Sequence, residues 1–162
     1  FSLLADDRYD LSQAATGFVF AGIGVLLVIV QGGLVGRVND ALGEDMTLRV
    51  GMGANVVGLL LLVPDAGWVA LVGALVALTL GQGLLTPTLV AAASHRAGGE
   101  RGRYLGWQQS AGAVARIVGP IAAGALYGSV GTGAPYALAA GLLLAGIVAL
   151  PAPGLSRRPA PA

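Results

Sequence analysis

The chain has 162 residues, of which 56% are hydrophobic and only 10% charged, with a formal net charge of +1 and a mean hydropathy of +0.80. An ordinary soluble domain is about 25% charged, so this composition leaves too few polar side chains to cover the outside of a globule dissolved in water. There is no Cys, which excludes a disulfide framework and thiolate metal sites.

The pattern of the apolar residues points to a lipid bilayer. Between Leu11 and Gly36 no side chain is charged, and such stretches recur between short charged segments marked by Gly and Pro. A helix rising about 1.5 Å per residue needs about 20 apolar residues to cross a hydrocarbon core of about 30 Å. Lipid cannot hydrogen-bond an open backbone, so each span has to be helical. The first span is predicted from Ala14 to Val35, between the run Asp6, Asp7, Arg8 and Asp10 and the charged stretch Arg37, Asp40, Glu44 and Asp45. The second covers Thr47 to Val63, with Arg49 in its first turn and Pro64-Asp65 closing it. The third runs from Trp68 to Ala93 and ends at the basic loop Ser94 to Arg103. The fourth, Tyr104 to Tyr127, carries the one deeply placed charge, Arg116. The fifth extends from Pro135 to Leu150, so that residues 1–154 form one transmembrane unit and 155–162 a short tail with Arg157 and Arg158. Pro87 and Pro120, the latter beside Gly119, fall inside spans and are expected to kink them. The fold class is therefore all-α, a polytopic transmembrane helical bundle.

Arginine placement sets an orientation. Alternate sides carry Arg37, Arg49, Arg96, Arg101, Arg103, Arg157 and Arg158 against Arg8 alone, so the Arg-rich side is expected to be cytoplasmic, with the N-terminal residue outside and the C-terminus inside. The residues Phe1 to Ala5 read as the end of an earlier apolar helix, which makes the chain the C-terminal part of something longer. The expected location is the inner membrane of a bacterium.

Three groups of residues are candidates for chemistry. In the stretch after the first span, Gly32, Gly33 and Gly36 let a helix end lie close to a neighbouring backbone, and Arg37 and Asp40 are placed to pair with each other or with helix ends. Such a pair either breaks when helices rock or is a solvated turn worth only about 0–1 kcal/mol. Arg116 lies about 18 Å along its helix from Tyr104, near mid-bilayer. An Arg there costs about 2.5–3.5 kcal/mol unless it faces protein or water. Gln109, Gly112, Arg116, Gly119 and Ala123 share one face, so Arg116 either borders a transport path or holds backbone carbonyls near the Gly119-Pro120 step. The third span carries a second polar stripe, Thr79, Gln82 and Thr86, which lines a cavity or bonds its own backbone and a neighbouring helix. Asn55 is expected to make an interhelical hydrogen bond, and the pairs Gly17-Ala21-Gly24, Ala54-Gly58 and Gly141-Ala145 to allow close helix contacts. Trp68, Tyr136, Tyr104 and Trp107 lie where interface anchors lie, with Trp107 alternatively stacking a substrate ring.

Enzymatic chemistry finds no footing. The single His, His95, sits in a predicted loop, which leaves no His metal cluster and no nucleophile triad, and no phosphate-cradling Gly-rich loop is present. The basic loop Arg96, Arg101 and Arg103 is an orientation signal rather than a nucleic-acid footprint. No cofactor and no metal are expected.

The segment Gly32-Gly33-Leu34-Val35-Gly36-Arg37-Val38-Asn39-Asp40-Ala41-Leu42-Gly43 resembles the loop motif G-x-L-x-G-R-x-x-D-R-x-G-R-R of major facilitator superfamily transporters, in the copy between helices eight and nine. Ala41, Glu44 and Asp45 stand where that family usually has basic residues. Gly81-Gln82-Gly83-Leu84-Leu85-Thr86-Pro87, Glu100-Arg101-Gly102-Arg103, and Gly112 with Ala115-Arg116-Ile117-Val118-Gly119-Pro120 are similar to the C-terminal half of its drug and proton antiporters. The resemblance implies that the five spans are helices eight to twelve and that Phe1 to Ala5 end helix seven. It further implies alternating access, a missing N-terminal half, a gating role for Gly36, Arg37, Asp40 and Gly43, and proton-coupled efflux of small, largely apolar compounds. In that arrangement both polar stripes face inward. The alternative from another class is a non-transporting membrane scaffold packed against a partner.

Overall fold

A computed structural model describes residues 13–64, 67–96 and 100–150. Among these residues every regular element is a helix. The earlier-helix reading of Phe1 to Ala5, the N-terminal charges up to Asp10, the middle of the basic loop and the Arg157/Arg158 tail lie outside the described residues.

The first helix, α1 (Gln13–Ile29), passes into a π-helical turn, Val30–Leu34, and straight on into α2 (Val35–Leu42). The predicted first span ends at Val35, yet the helix continues to Leu42. Nothing in Gly36 to Ala41 breaks a helix, and the chain stops only at Gly43, whose φ of 78° and ψ of 163° suit glycine alone. No loop separates it from α3 (Glu44–Leu61), because the Gly43 carbonyl accepts from both the Thr47 N–H (3.0 Å) and the Thr47 hydroxyl (2.8 Å). Glu44 and Asp45 thus occupy the first turn of α3, where carboxylates complement the helix dipole. Two tighter bonds, Leu62 N–H to Leu59 O and Val63 N–H to Leu60 O, close α3 before Pro64. Then follow α4 (Gly67–Arg96), α5 (Arg101–Ser129) and α6 (Ala134–Ala149). Pro87 and Pro120 lie inside α4 and α5, whose helical paths run through them without a break.

Three stretches are long and apolar enough to cross a membrane: Gly17–Leu42, Gly67–His95 and Gly102–Ser129, with mean hydropathies of 2.4, 1.9 and 1.3. The apolar helix Ala134–Ala149 is shorter, and α3 carries Glu44, Asp45 and Arg49 in its first turns.

Helices α3 and α4 form the core of the bundle. Gly51, Asn55 and Gly58 recur along one face of α3 and meet Ala74, Leu78, Gly81 and Leu85 of α4. A Cβ at Gly51 would lie 3.2 Å from the Gly81 carbonyl, and one at Gly58 would lie 2.6 Å from Leu78 Cγ and 3.0 Å from the Ala74 carbonyl. Such closeness lets dispersion between backbones replace the hydrophobic effect that lipid does not supply. Leu62, Leu71 and Ala74 are buried at one end of this seam. Helix α6 packs on α3, with Gly146 against Met52, and α1 packs on α4 by setting Val30 over Gly83.

Among the glycines of the small-residue pairs, Gly58 makes the expected close helix contact. Among the described residues nothing lies within 4 Å of a Cβ at Gly17, Gly24 or Gly141, which are exposed. Asn55 also departs from expectation: it is buried, but its amide donates to the Gly51 carbonyl of its own helix (2.9 Å) while the side chain packs on Gly81. A short amide pointing into a glycine seam finds its nearest acceptor four residues back.

Helix α5 is the outlier. None of its most apolar stretch is buried, and among the described residues its main contacts, with α4 and α6, are slight. Its Trp107 and Ile121, like Phe18 and Val28 of α1, are about three-quarters exposed at 71%, 70%, 79% and 71%.

Replacing Gly81 by Ala drives a methyl group against Asn55 and to 2.8 Å from the Gly51 carbonyl; the expected cost is about 1–3 kcal/mol. Gly141→Ala, with open space around it, is expected to stay within about 0.5 kcal/mol of the parent. Unfolding of the two detergent-solubilised full-length variants, measured side by side, checks the difference; equal stabilities would refute the seam.

Candidate functional site

The polar stripe of α4 meets an apolar groove. Phe20, Ile23 and Leu27 of α1, Leu59 of α3, Leu75 and Leu78 of α4 and Tyr136 of α6 line a cavity of about 370 Å³, together with Thr79 and Gln82. Thr79 is buried and donates its hydroxyl to the Leu75 carbonyl of its own helix (2.7 Å), which satisfies its proton locally. Gln82 is exposed and lines the groove, but the groove's accessible surface is almost wholly apolar, so its amide does not open into it. Thr86 is exposed one turn further on and is not among the side chains of this groove. The next hydroxyl, Thr88, was not singled out by the sequence pattern. It is fully buried and accepts from the Asn39 amide of α2 at 3.5 Å. Its signal lay in the Thr86-Pro87-Thr88 run, where a second Thr two residues on points to the opposite side of the helix.

Around Gly36 the structure rearranges the expected contacts. Arg37 does not pair with Asp40; its Nη1 donates to the Gly33 carbonyl in the π-turn at 2.8 Å. Asp40 is exposed and, among the described residues, makes no ion pair. No neighbouring backbone approaches Gly32 or Gly36, so their small size serves no close helix contact here. Gly43 is the residue whose backbone the turn requires. The charges read as a loop are helical, because α2 and α3 abut at Gly43 with no loop between them.

Two ties in this region escaped the sequence reading. His95 is not in a loop: it lies in the last turn of α4, and its Nδ1 is 2.8 Å from Glu44 Oε1 at the start of α3. An acid at a helix N-terminus and a His at a helix C-terminus each suit the local dipole. The family-unusual Glu44 therefore has a local partner that only the packing of α3 on α4 brings near. Arg49 reaches across to donate to the Leu150 carbonyl at the end of α6 (3.1 Å), joining residues far apart in sequence.

Arg116 sits midway along α5 with its guanidinium folded over Gly112, where a Cβ would lie 3.4 Å from Nη2. It is exposed and, among the described residues, has no hydrogen-bond or ion-pair partner, and it does not hold carbonyls near Gly119-Pro120. Gln109 and Gly119 on the same face are also exposed, and nothing lies within 4 Å of a Cβ at Gly119. No residue of α5 lines the α4 groove, so the two polar stripes do not meet within this chain. At the start of α5, Tyr104 and Trp107 are exposed and flank a recess with Glu100 and Arg103, which pair at 3.3 Å. Tyr136 is half-buried against the Leu62, Leu71 and Ala74 cluster, which makes it as much a core residue as an interface anchor.

The sequence matches the Major Facilitator Superfamily over residues 1–162. It is 30% identical over 143 residues to rat "Solute carrier family 22 member 18", covering 81% of this chain and 32% of that protein. It is also 30% identical over 156 residues to human "Major facilitator superfamily domain-containing protein 10", covering 88% of this chain and 31% of that protein, and the bovine protein of the same name gives the same values. The chain thus spans about a third of the length of the curated relatives it matches. No solved structure matches significantly.

Gly43→Ala forces an L-residue to the glycine-only conformation between α2 and α3; a loss of about 1–3 kcal/mol is expected. Thermal unfolding of full-length protein in detergent reads it, and an unchanged transition would mean that the junction relaxes freely.

Proposed function

The chain belongs to the Major Facilitator Superfamily, and we propose that it is part of a membrane transporter, forming most of one half of a two-half bundle working by alternating access. The observation that carries this reading is α5, a 29-residue helix with no buried face and a central, unpaired Arg116. A guanidinium at that depth is stable only against protein or water. A six-helix partner from the rest of the same protein, closing over α5 and α1, supplies both. In this reading Arg116, Gln109, Gln82, Thr79 and Thr86 border the transport path, and Arg116 attracts an anionic group or tunes a proton-carrying carboxylate in the other half.

The groove supports a substrate class. A cavity walled almost wholly by apolar surface suits small, largely apolar compounds. Export in exchange for protons is the specific activity proposed, in the inner membrane of a bacterium with the C-terminus in the cytoplasm. Gly36, Arg37, Asp40 and Gly43 serve as the gating segment, with Asp40 free to change partners as helices move.

In the Cys-free chain, single cysteines at Gln82 and Thr86 of the full-length protein are expected to react with a membrane-impermeant maleimide in at least one state. Arg116→Ala is expected to lower efflux of a lipophilic dye by more than about tenfold. Complete protection of both cysteines in every state, with efflux unchanged by Arg116→Ala, would instead mark the chain as a scaffold.

A further inference from the structure

The two irregular points of the bundle touch. In α1 the helix widens to a π-turn at Val30–Leu34, where the Val35 N–H reaches back five residues to the Val30 carbonyl. In α4 Pro87 has no N–H to give, which deprives the Gly83 carbonyl of its partner four residues on. Gly83 is also the hollow that receives Val30: the valine is 2% exposed, and a Cβ at Gly83 would lie 2.5 Å from its Cγ1. Each helix is therefore weakest in its own hydrogen-bond ladder at the place where the other leans on it.

On one side of this contact the helices are tied by side chains. Asn39 of α2 bonds Thr88 of α4, and Glu44 at the start of α3 pairs with His95 in the last turn of α4. On the other side Leu26 and Leu80 pack against Val30 and Leu84 without a polar tie. A side-chain bond crosses the wider turn itself, from Arg37 to the Gly33 carbonyl.

We propose that Val30–Leu34 and Gly83–Pro87 form one shared hinge. About it α2, the first turn of α3 and the last turns of α4 swing as a single block. The residues on the family motif then have distinct tasks: Arg37 sets the stiffness of the π-turn, and Asn39 rather than Asp40 transmits the motion to α4. The purpose of the hinge rests on the alternating-access reading, but its existence does not.

Amide hydrogen exchange of the full-length protein in lipid nanodiscs tests it without any substrate. Pro87→Ala restores a donor to Gly83, and exchange is expected to slow about fivefold or more in residues 83–88 and also in residues 30–35 of α1. Arg37→Met removes the bond to Gly33, and exchange is expected to quicken in both segments. Changes confined to the substituted helix would overturn the shared hinge while leaving the transport reading intact. Should Pro87→Ala fail to insert, Arg37→Met decides alone, in the opposite direction. Absence of any efflux by the parent protein, with the exchange coupling preserved, would instead remove the transport reading and keep the hinge.

Discussion

Contact between two glycine-bearing backbones, along the faces Gly51-Asn55-Gly58 of α3 and Ala74-Leu78-Gly81 of α4, holds the rest of the bundle in place. In lipid no water is released when apolar side chains meet, so association depends on how closely the helix axes approach. The seam fixes α3 against α4, and α3 in turn carries α6 through Met52 and the Arg49 tie to Leu150. Because α3 follows α2 at Gly43 without a loop, α3 also sets where α2 joins the bundle. The Glu44–His95 pair and the Asn39–Thr88 bond exist only because that geometry brings these elements together.

What lies outside the seam is organised differently. Helices α1 and α5 present large apolar side chains outward, and α5 carries its Arg116 with them. In water such faces would drive aggregation. In a bilayer the apolar part is at home, and the guanidinium is the feature that demands more than lipid. A chain covering about a third of its relatives' length is expected to leave the faces toward the remaining two-thirds open. The separation of the two polar stripes, one at a groove between α1 and α4 and one on α5, has the same origin.

The candidate site was partly legible. Gln82 was picked out by spacing and does stand at a groove, whereas Thr79 spends its hydroxyl on its own helix. The Arg37–Asp40 pair was a plausible reading of two opposite charges three residues apart, yet a π-turn put a backbone carbonyl closer to Arg37. No sequence periodicity announces this π-turn, which begins at the residue that packs over Gly83 of α4. Asn55 and His95 were misjudged for a common reason: the partner of a polar side chain depends on the neighbour's distance, which composition does not contain.

The sequence by itself determined that the protein is helical and membrane-embedded and which family's motifs it carries. These follow from local quantities: run length of apolar residues, the backbone demands of Gly and Pro, and the cost of burying charge. The tertiary structure decided which glycines touch a neighbour, which charges find partners and where two weak points coincide. Gly58 and Gly141 look alike in a string of letters, and only packing makes one a contact and the other a surface.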